Sequence, residues 1–401
     1  MDLMKLKAME KFIAVNLVEP WMETILAKME KNIDILIENG LDTFKKSMEN
    51  TPQSELYHAE GNVYIHTKMV LNALESMPEY KELDIDSQHI LYVAAMLHDI
   101  GKIKTTVFKD NDWHSPNHSS TGSKMARELM YNEFGFYGNK ELVEFRETVC
   151  LLIRHHSFPP HAIESNNNVL KLHKISSNGI LLPNFSIKML CLLSKADILG
   201  RISKDTNDML YAVELCEELA KEENCYDSYY NFTSNYTKRA YLSGRNVPKD
   251  YELFDDTWGE VVMLSGLPGT GKDYFIKEKF PDIPMISLDE IRKENKILPT
   301  DNQGKVANIA RDMAKEYLRK HQPFVWNATN ITPQTRESLV SLFEIYKAKV
   351  RIIYLETDYD RLINQNQNRK EMVPTNVIDG MIKKLVPPTA NEAENVEWVI
   401  I

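Results

Sequence analysis

Near residue 250 the spacing of apolar residues changes, and no other feature of the chain constrains its fold as much. Up to about residue 235 they recur at helical intervals: in "HTKMVLNAL" (Met69, Val70, Ala73, Leu74), in "ILYVAAMLHDIGK" (Leu91, Ala94, Ala95) and in "IKMLCLLSKADILGR" (Ile187, Leu190, Leu193). From 259 onward short apolar runs, "EVVMLSG", "MISLD", "PFVWNAT" and "KVRIIYLET", alternate with helical stretches such as "KVANIARDMAKEYLRK". That is the rhythm of βα units around a parallel sheet. A single core rarely extends over 401 residues, so two domains are expected. The first is an all-α helical bundle over 1–250, with a core over about 55–235 and an N-terminal helical extension over 1–50. The second is an α/β domain with a parallel sheet over 251–401. The polar, tyrosine-rich stretch "ENCYDSYYNFTSNYTKRAYLSGRNVPKDYELFDD" places the junction near 245–258, its tyrosines closing the helical domain.

The net charge of −10 argues against indiscriminate coating of nucleic acid, which needs many Lys and Arg against phosphates, but it allows a local basic grip on one strand end. No run approaches the ~18 apolar residues that span a bilayer. The opening "MDLMKLKAMEKFIAVNLVEPWMETIL" mixes acids with its apolar positions and lacks a cleavage pattern, so it reads as a folded amphipathic helix. Cys150, Cys191, Cys216 and Cys225 have no CxxC pairing or zinc-ligand spacing. Buried or free thiols in a reducing cytoplasm are the expectation.

The stretch "VVMLSGLPGTGKDYF" meets the pattern G-x-x-x-x-G-K with Gly266, Gly271 and Lys272, after an apolar strand and before a helix. Glycines let the backbone turn its N–H groups inward, the helix presents its positive end, and the lysine reaches the β- and γ-phosphates. Gly266, Leu267, Pro268, Gly269, Thr270, Gly271, Lys272 and Asp273 thus form a candidate cradle for ATP or another NTP with Mg²⁺. Asp273 stands where such loops carry a hydroxyl that faces the ion. A carboxylate is also a hard oxygen ligand, so Asp273 either holds Mg²⁺ or caps the helix.

Asp289 falls at the carboxyl end of the next strand, with Arg292 one helical turn on. A carboxylate there can orient an acceptor hydroxyl and take its proton, while the arginine grips a neighbouring phosphate. A capping aspartate with a solvent-facing arginine fits the same spacing. In "DRLINQNQNRKEMVPTNVIDGMIKKLVPP" a polar helix breaks into a loop before Pro374, which suits a lid. Arg369, near the break, is placed to bring a guanidinium onto the transferring phosphoryl group; Arg361 can serve there or be solvated.

Together "GLPGTGKD", "LDEIR", "WNATNIT" and "QNQNRKEMVP" resemble the polynucleotide 5′-hydroxyl kinase family over nearly all of 259–401. In that family the aspartate of D-x-x-R is the general base and its arginine contacts a phosphate of the acceptor strand. The resemblance lays those roles on Asp289 and Arg292. It departs from the family at Asp273 and at Asn327, where related kinases often place an acid, which puts the metal handling in question.

The first half carries "HTKMV", "LHDIGK", "SPNHSSTGSKMA", "LIRHHSFPPH" and "SKADILGR" in that order. His66 shares a face with Val70 and Ala73, His98 continues the stripe of Leu91, Ala94 and Ala95, and Asp197 continues Leu190 and Leu193. Polar residues that extend a buried stripe need partners, and a dinuclear metal centre bridged by Asp99 would supply them. His114, His161 and His173 have no spacing that requires them there.

This series resembles the HD phosphohydrolase superfamily over about 55–235. The resemblance implies one metal on His66, His98, Asp99 and Asp197, and a second on His118, His155 and His156. Imidazole-rich ligands suit one or two transition ions such as Mn, Fe, Co, Ni or Zn. Lys102 and Arg201 are natural phosphate clamps or, equally, solvated surface residues. The tandem order resembles the bacterial two-domain end-healing enzymes called HD-Pnk. That implies removal of 2′,3′-cyclic, 2′- or 3′-phosphates by the first half and 5′-OH phosphorylation by the second. Its substrates would be RNA or DNA strand ends, its functional partner a separate polynucleotide ligase, with no membrane involved. Two other readings fit the same motifs: an HD nucleotide hydrolase fused to a small-molecule kinase, and an NTP-gated regulatory module whose loop binds without catalysis.

Overall fold

The structure, a computed structural model, describes residues 20–298, 301, 303–369 and 371–401. Most of the expected N-terminal amphipathic helix, residues 1–19, lies outside the described residues.

The first half is a helical bundle of α1 (Pro20–Glu49), α2 (Val63–Ser76), α3 (Ile85–Leu97), α4 (His118–Asn132), α5 (Lys140–His155), α6 (Ile187–Leu199) and α7 (Thr206–Glu222). Side-chain caps set where several of these begin: Asn62, Asp84, Asn139 and Ser186 each accept the backbone N–H three residues on. Helix α3 is the axis of the bundle. It is apolar nearly all round from Ile90 to Leu97 and packs against α1, α2, α5 and α6. Its last turn runs directly into His98 and Asp99, so the histidine–aspartate pair is delivered into the interior by the most buried helix.

One element departs from the helical pattern. Val107–Lys109 (β1) and Asp112–His114 (β2) form an antiparallel hairpin around Asp110 and Asn111, both at positive φ. Asp and Asn tolerate that backbone, as a two-residue hairpin turn requires.

The second half is an α/β domain with a five-stranded, wholly parallel sheet in the order β4 (Met285–Ser287), β5 (Val325–Asn327), β3 (Gly259–Ser265), β6 (Ala348–Glu356), β7 (Asn395–Ile400). Helices α9 (Lys272–Lys279), α10 (Leu288–Glu294), α11 (Gln303–Arg319), α12 (Pro333–Ile345), α13 (Tyr359–Gln367) and α14 (Thr375–Ile382) alternate with them. Val261 and Met263 face one core while Val262 and Leu264 face another, so β3 is buried on both faces and lacks the polar alternation of a surface strand. The chain crosses from β5 on one side of β3 to β6 on the other. The crevice at the carboxyl end of β3 is therefore the switch point where open α/β sheets bind ligands. Strand β7 was not foreseen, although "NVEWVI" is rich in β-branched and aromatic residues.

The two halves are joined by buried charge as well as by the linker. Arg146 of α5 reaches Glu356 at the end of β6 through paired bonds of 2.8 and 2.9 Å, with both side chains essentially sealed from solvent. Tyr354 donates to the same carboxylate, and Arg146 also meets Glu147, which is held in turn by Arg127. The last helix before the linker, α8 (Asn235–Leu242), lies against the second domain, with Arg239 on Glu344 at 2.6 and 3.1 Å and Lys238 Nζ on the Glu394 carbonyl at 3.0 Å. Of the linker-proximal tyrosines, Tyr230 and Tyr241 pack on the buried ring of His173 and close the bundle. All four cysteines are free and buried.

Candidate active sites

In the bundle, α2, α3 with the turn after it, the start of α4, the end of α5 and the end of α6 supply side chains to one interior point. His66, His98 and Asp197 form one group of potential ligands, and Asp99, His118 and His156 form a second. His66 Nε2 lies 3.0 Å from Asp197 Oδ1 and 3.3 Å from His98 Nε2, while Asp99 Oδ2 lies 3.3 Å from His98 Nε2. On the other side Asp99 Oδ1 is 3.6 Å from His118 Nε2, which lies 3.4 Å from His156 Nε2. Asp99 thus turns one oxygen to each group. His155 is brought to neither group: it is the neighbouring His156 that turns inward.

The hydrogen bonds behind these rings fix what they can do. His98, His118 and His156 direct Nδ1 at the carbonyls of Ala95, Ser115 and Ile153, at 2.7, 2.9 and 2.7 Å. Nδ1 must then carry the proton and Nε2 the lone pair, which is the tautomer a metal ligand needs. The second group therefore directs several acceptor atoms at one point. Asp99 Oδ1 is buried there without a hydrogen-bond partner, and the Ser119 hydroxyl, 3.3 Å from His118 Nε2, is the nearby donor. Acceptors converging in a buried space with so few donors fit a cation.

Ionisation points the same way. Burial alone would raise Asp99, but the Lys102 ammonium and His98 hold it well below the usual carboxylate range. Burial lowers His118, and it takes His156 down to about 4, favouring the neutral rings that ligate. Burial also works to lower His66, yet its hydrogen bonds to Asp197 and Glu60 raise it to about 9. Those two carboxylates favour the protonated ring, so a cation bound at Nε2 would have to take the place of that proton.

Lys102 Nζ is engaged by Asp99 at 2.7 Å and by Gln53 at 2.7 Å, and so acts on the site from behind the bridging carboxylate. Arg201 keeps Nε and Nη2 buried without partners, immediately after Gly200, whose carbonyl meets His66 Nδ1 at 3.2 Å. Two further residues belong to the site that sequence reasoning passed over. Glu60 receives His66 Nδ1 at 3.0 Å and His58 Nδ1 at 2.9 Å, and His58 Nε2 lies 3.5 Å from Lys102 Nζ. The signal is present in "YHAEGNVYIH", ten residues that bring a second imidazole and an acid just ahead of His66.

In the second domain the loop from Gly266 to Gly271 lies between the end of β3 and α9, whose first two residues are Lys272 and Asp273. A Cβ on Gly266 would stand 2.5 Å from the Leu355 carbonyl and one on Gly269 2.6 Å from the Leu362 carbonyl, so the loop can lie this close only without side chains. Lys272 Nζ is folded onto the loop's own carbonyls, Gly266 O at 2.9 Å and Leu267 O at 2.7 Å. Burial lowers its ammonium to about 8, with Asp273 opposing the shift.

Asp289 begins α10 beyond β4, held by Arg292 on one oxygen and by Arg369 on the other at 3.0 Å. Its helix is capped by Ser287 rather than by Asp289, which leaves the carboxylate available to the crevice. Arg369 and Asp289 both act electrostatically on Lys272, so the cradle lysine lies near the Asp289–Arg369 pair. Asn366 was overlooked. Its amide clasps the backbone of Val373 in both directions, at 2.7 and 3.0 Å, and pins the base of the loop that carries Arg369.

Comparison with known proteins finds a different family in each half. Residues 63–182 match the HD domain family and residues 261–388 match the AAA domain family. A stretch of 135 residues is 24% identical to L-seryl-tRNA(Sec) kinase of Methanococcus maripaludis, covering 32% of this chain and 53% of that protein. The chain thus spans about half the length of that relative. It thus joins an N-terminal helical region matched by the HD domain family to a C-terminal α/β region matched by the AAA domain family. Among the described residues no helix is long and apolar enough to cross a membrane.

Proposed function

We propose that the chain heals nucleic-acid ends for a ligase, the HD domain clearing 2′,3′-cyclic, 2′- or 3′-phosphates and the P-loop domain phosphorylating 5′-OH ends. The observation that carries the kinase half is Asp289 held between Arg292 and Arg369 beside the cradle lysine. A base flanked by two guanidiniums suits an acceptor hydroxyl whose neighbours are phosphates. In the transfer, Asp289 takes the proton of the 5′-hydroxyl as its oxygen bonds to the γ-phosphorus. The β–γ bridging bond breaks, the diphosphate leaves on Lys272, and Arg369 steadies the charge on the moving phosphoryl group.

In the HD domain His66, His98, Asp99 and Asp197 would hold one divalent ion, and Asp99, His118 and His156 a second. The chemistry such ions supply is activation of water near neutral pH and neutralisation of charge on the phosphoester. The chain's own part is to fix the imidazole tautomers, split Asp99 between the two groups and offer the buried guanidinium of Arg201 to a phosphate.

The similarity to a kinase named for L-seryl-tRNA(Sec) favours a second reading, an acceptor hydroxyl carried on an RNA but not at its 5′ end. One experiment separates the two. A labelled strand with 5′-OH and 3′-phosphate ends is incubated with and without ATP and with Mg²⁺, Mn²⁺, Ni²⁺ or Zn²⁺. The proposal expects a 5′-phosphate only with ATP, and loss of the 3′-phosphate only with a transition metal. A strand left with its 5′-OH under all conditions overturns the kinase half. Full 3′ processing in transition-metal-free magnesium overturns the metal assignment.

A further inference from the structure

The two residues at which the cradle departs from kinases of this type touch each other. Asn327 Nδ2 donates to Asp273 Oδ1 at 2.6 Å. Asn327 ends β5, the strand beside β3, and is buried; Asp273 is the second residue of α9 and is exposed to the crevice. In P-loop enzymes the ion on the triphosphate is held from these two directions, by a hydroxyl on the helix after the loop and by an aspartate on a sheet strand. Here the acid is on the helix and the uncharged group is on the strand.

We infer that Asp273 and Asn327 are an exchanged pair: the magnesium carboxylate has moved from the strand to the helix, and Asn327 is the positioning residue that aims it. This rests on the P-loop binding a magnesium nucleotide, as proposed above, but not on the identity of the acceptor. Charge explains why both positions differ together. With an aspartate on α9, a second aspartate at 327 would put two carboxylates at hydrogen-bond distance, where one must take up a proton. An amide there instead donates to Asp273 Oδ1 and leaves Oδ2 free for a cation. Either arrangement supplies one carboxylate beside the phosphates, so the ion meets the same charge from a different side. Asn327 is fixed by the sheet, with Met285 Sδ against its amide at 3.5 Å, so it orients Asp273 before any nucleotide arrives.

The readout is the affinity of a fluorescent ATP analogue with EDTA and across a magnesium titration, on the full chain. Wild type should gain affinity with magnesium. Asp273→Ser and Asn327→Asp should each reduce that gain, by about tenfold or more, as loss of a ligand or of its orienting partner does. The double variant Asp273→Ser with Asn327→Asp restores the ordinary arrangement and should return to within a few-fold of wild type, which excludes misfolding as the cause of the single losses. A full magnesium gain in Asp273→Ser alone, or a double variant no better than the worse single, overturns the exchange. Failure of wild type to bind the analogue at all overturns both the exchange and the P-loop reading. Normal magnesium-dependent binding without phosphorylation of a 5′-OH strand overturns the acceptor assignment and leaves the exchange standing.

Discussion

The two sites of this chain are built in opposite ways. In the HD domain His66, His98, Asp99 and His156 are all but sealed inside the bundle, and each ring is held from behind by a carbonyl or a carboxylate. In the P-loop domain Asp289, Arg292 and Arg369 lie at the ends of short helices and loops, and Asp289 is more than half exposed. The first site can therefore set ring tautomers before any ligand arrives. The second is gathered from loops at the carboxyl end of the sheet, and its lysine rests on the loop's own carbonyls until a phosphate draws it away. A centre whose ring tautomers must be fixed in advance belongs in a core, whereas one that admits a triphosphate and a strand end together needs an open crevice.

The sharpest way to break the comparison is to remove one residue from each site. Asp99→Ala takes away the carboxylate shared by both ligand groups and should abolish phosphate removal, by about 10³-fold or more, with phosphorylation intact. Lys272→Ala should do the reverse, lowering phosphorylation about 10²- to 10³-fold. Assays of both reactions on one preparation decide it, because loss of both activities in a folded variant means that the sites are not independent.

A smaller effect is expected at the seam, where Arg146 and Glu356 are buried as deeply as any residue of the HD site. Arg146→Ala leaves Glu356 buried without its cation and should cost about 3–5 kcal/mol of stability. Replacing both partners, as Arg146→Met with Glu356→Leu, should recover most of it. Denaturant melts of the full chain read this directly; a single variant as stable as wild type would show that the halves are not held by this pair.

The smallest effect concerns pH at the open site. In the free protein burial brings Lys272 down to about 8, with Asp273 opposing. The ammonium is present below that pH and is lost above it, so ATP binding at higher pH must take up a proton. Affinity should fall as pH rises from 7 to 9, approaching about tenfold per unit above 8. Calorimetry in two buffers of different ionisation heat should show net proton uptake near pH 8.5, and equal heats after correction would rule it out.

Helical spacing ahead of residue 235 and βα rhythm after 259 were enough to anticipate a bundle and a parallel sheet, because both patterns are local consequences of burying one face or two. The glycine-rich loop and the histidine–aspartate series were legible for the same reason: Gly266 and Gly269 are required by the backbone itself, and His98 extends a buried stripe. The hairpin at Asp110 and Asn111 has strands of three residues, too short to establish a period against their neighbours.

What only the tertiary structure decided is which neighbours each polar group meets. His155 and His156 are adjacent and identical in type, and the rotation of α5 turns one of them inward. Glu60 is close to His66 in sequence, yet its role depends on a loop folding back over α2. Arg146 and Glu356 lie 210 residues apart, and Asp273 and Asn327 lie 54 apart. Sequence periodicity reports which face of an element is buried; the partner of a buried charge is set by packing between elements, which no local pattern records.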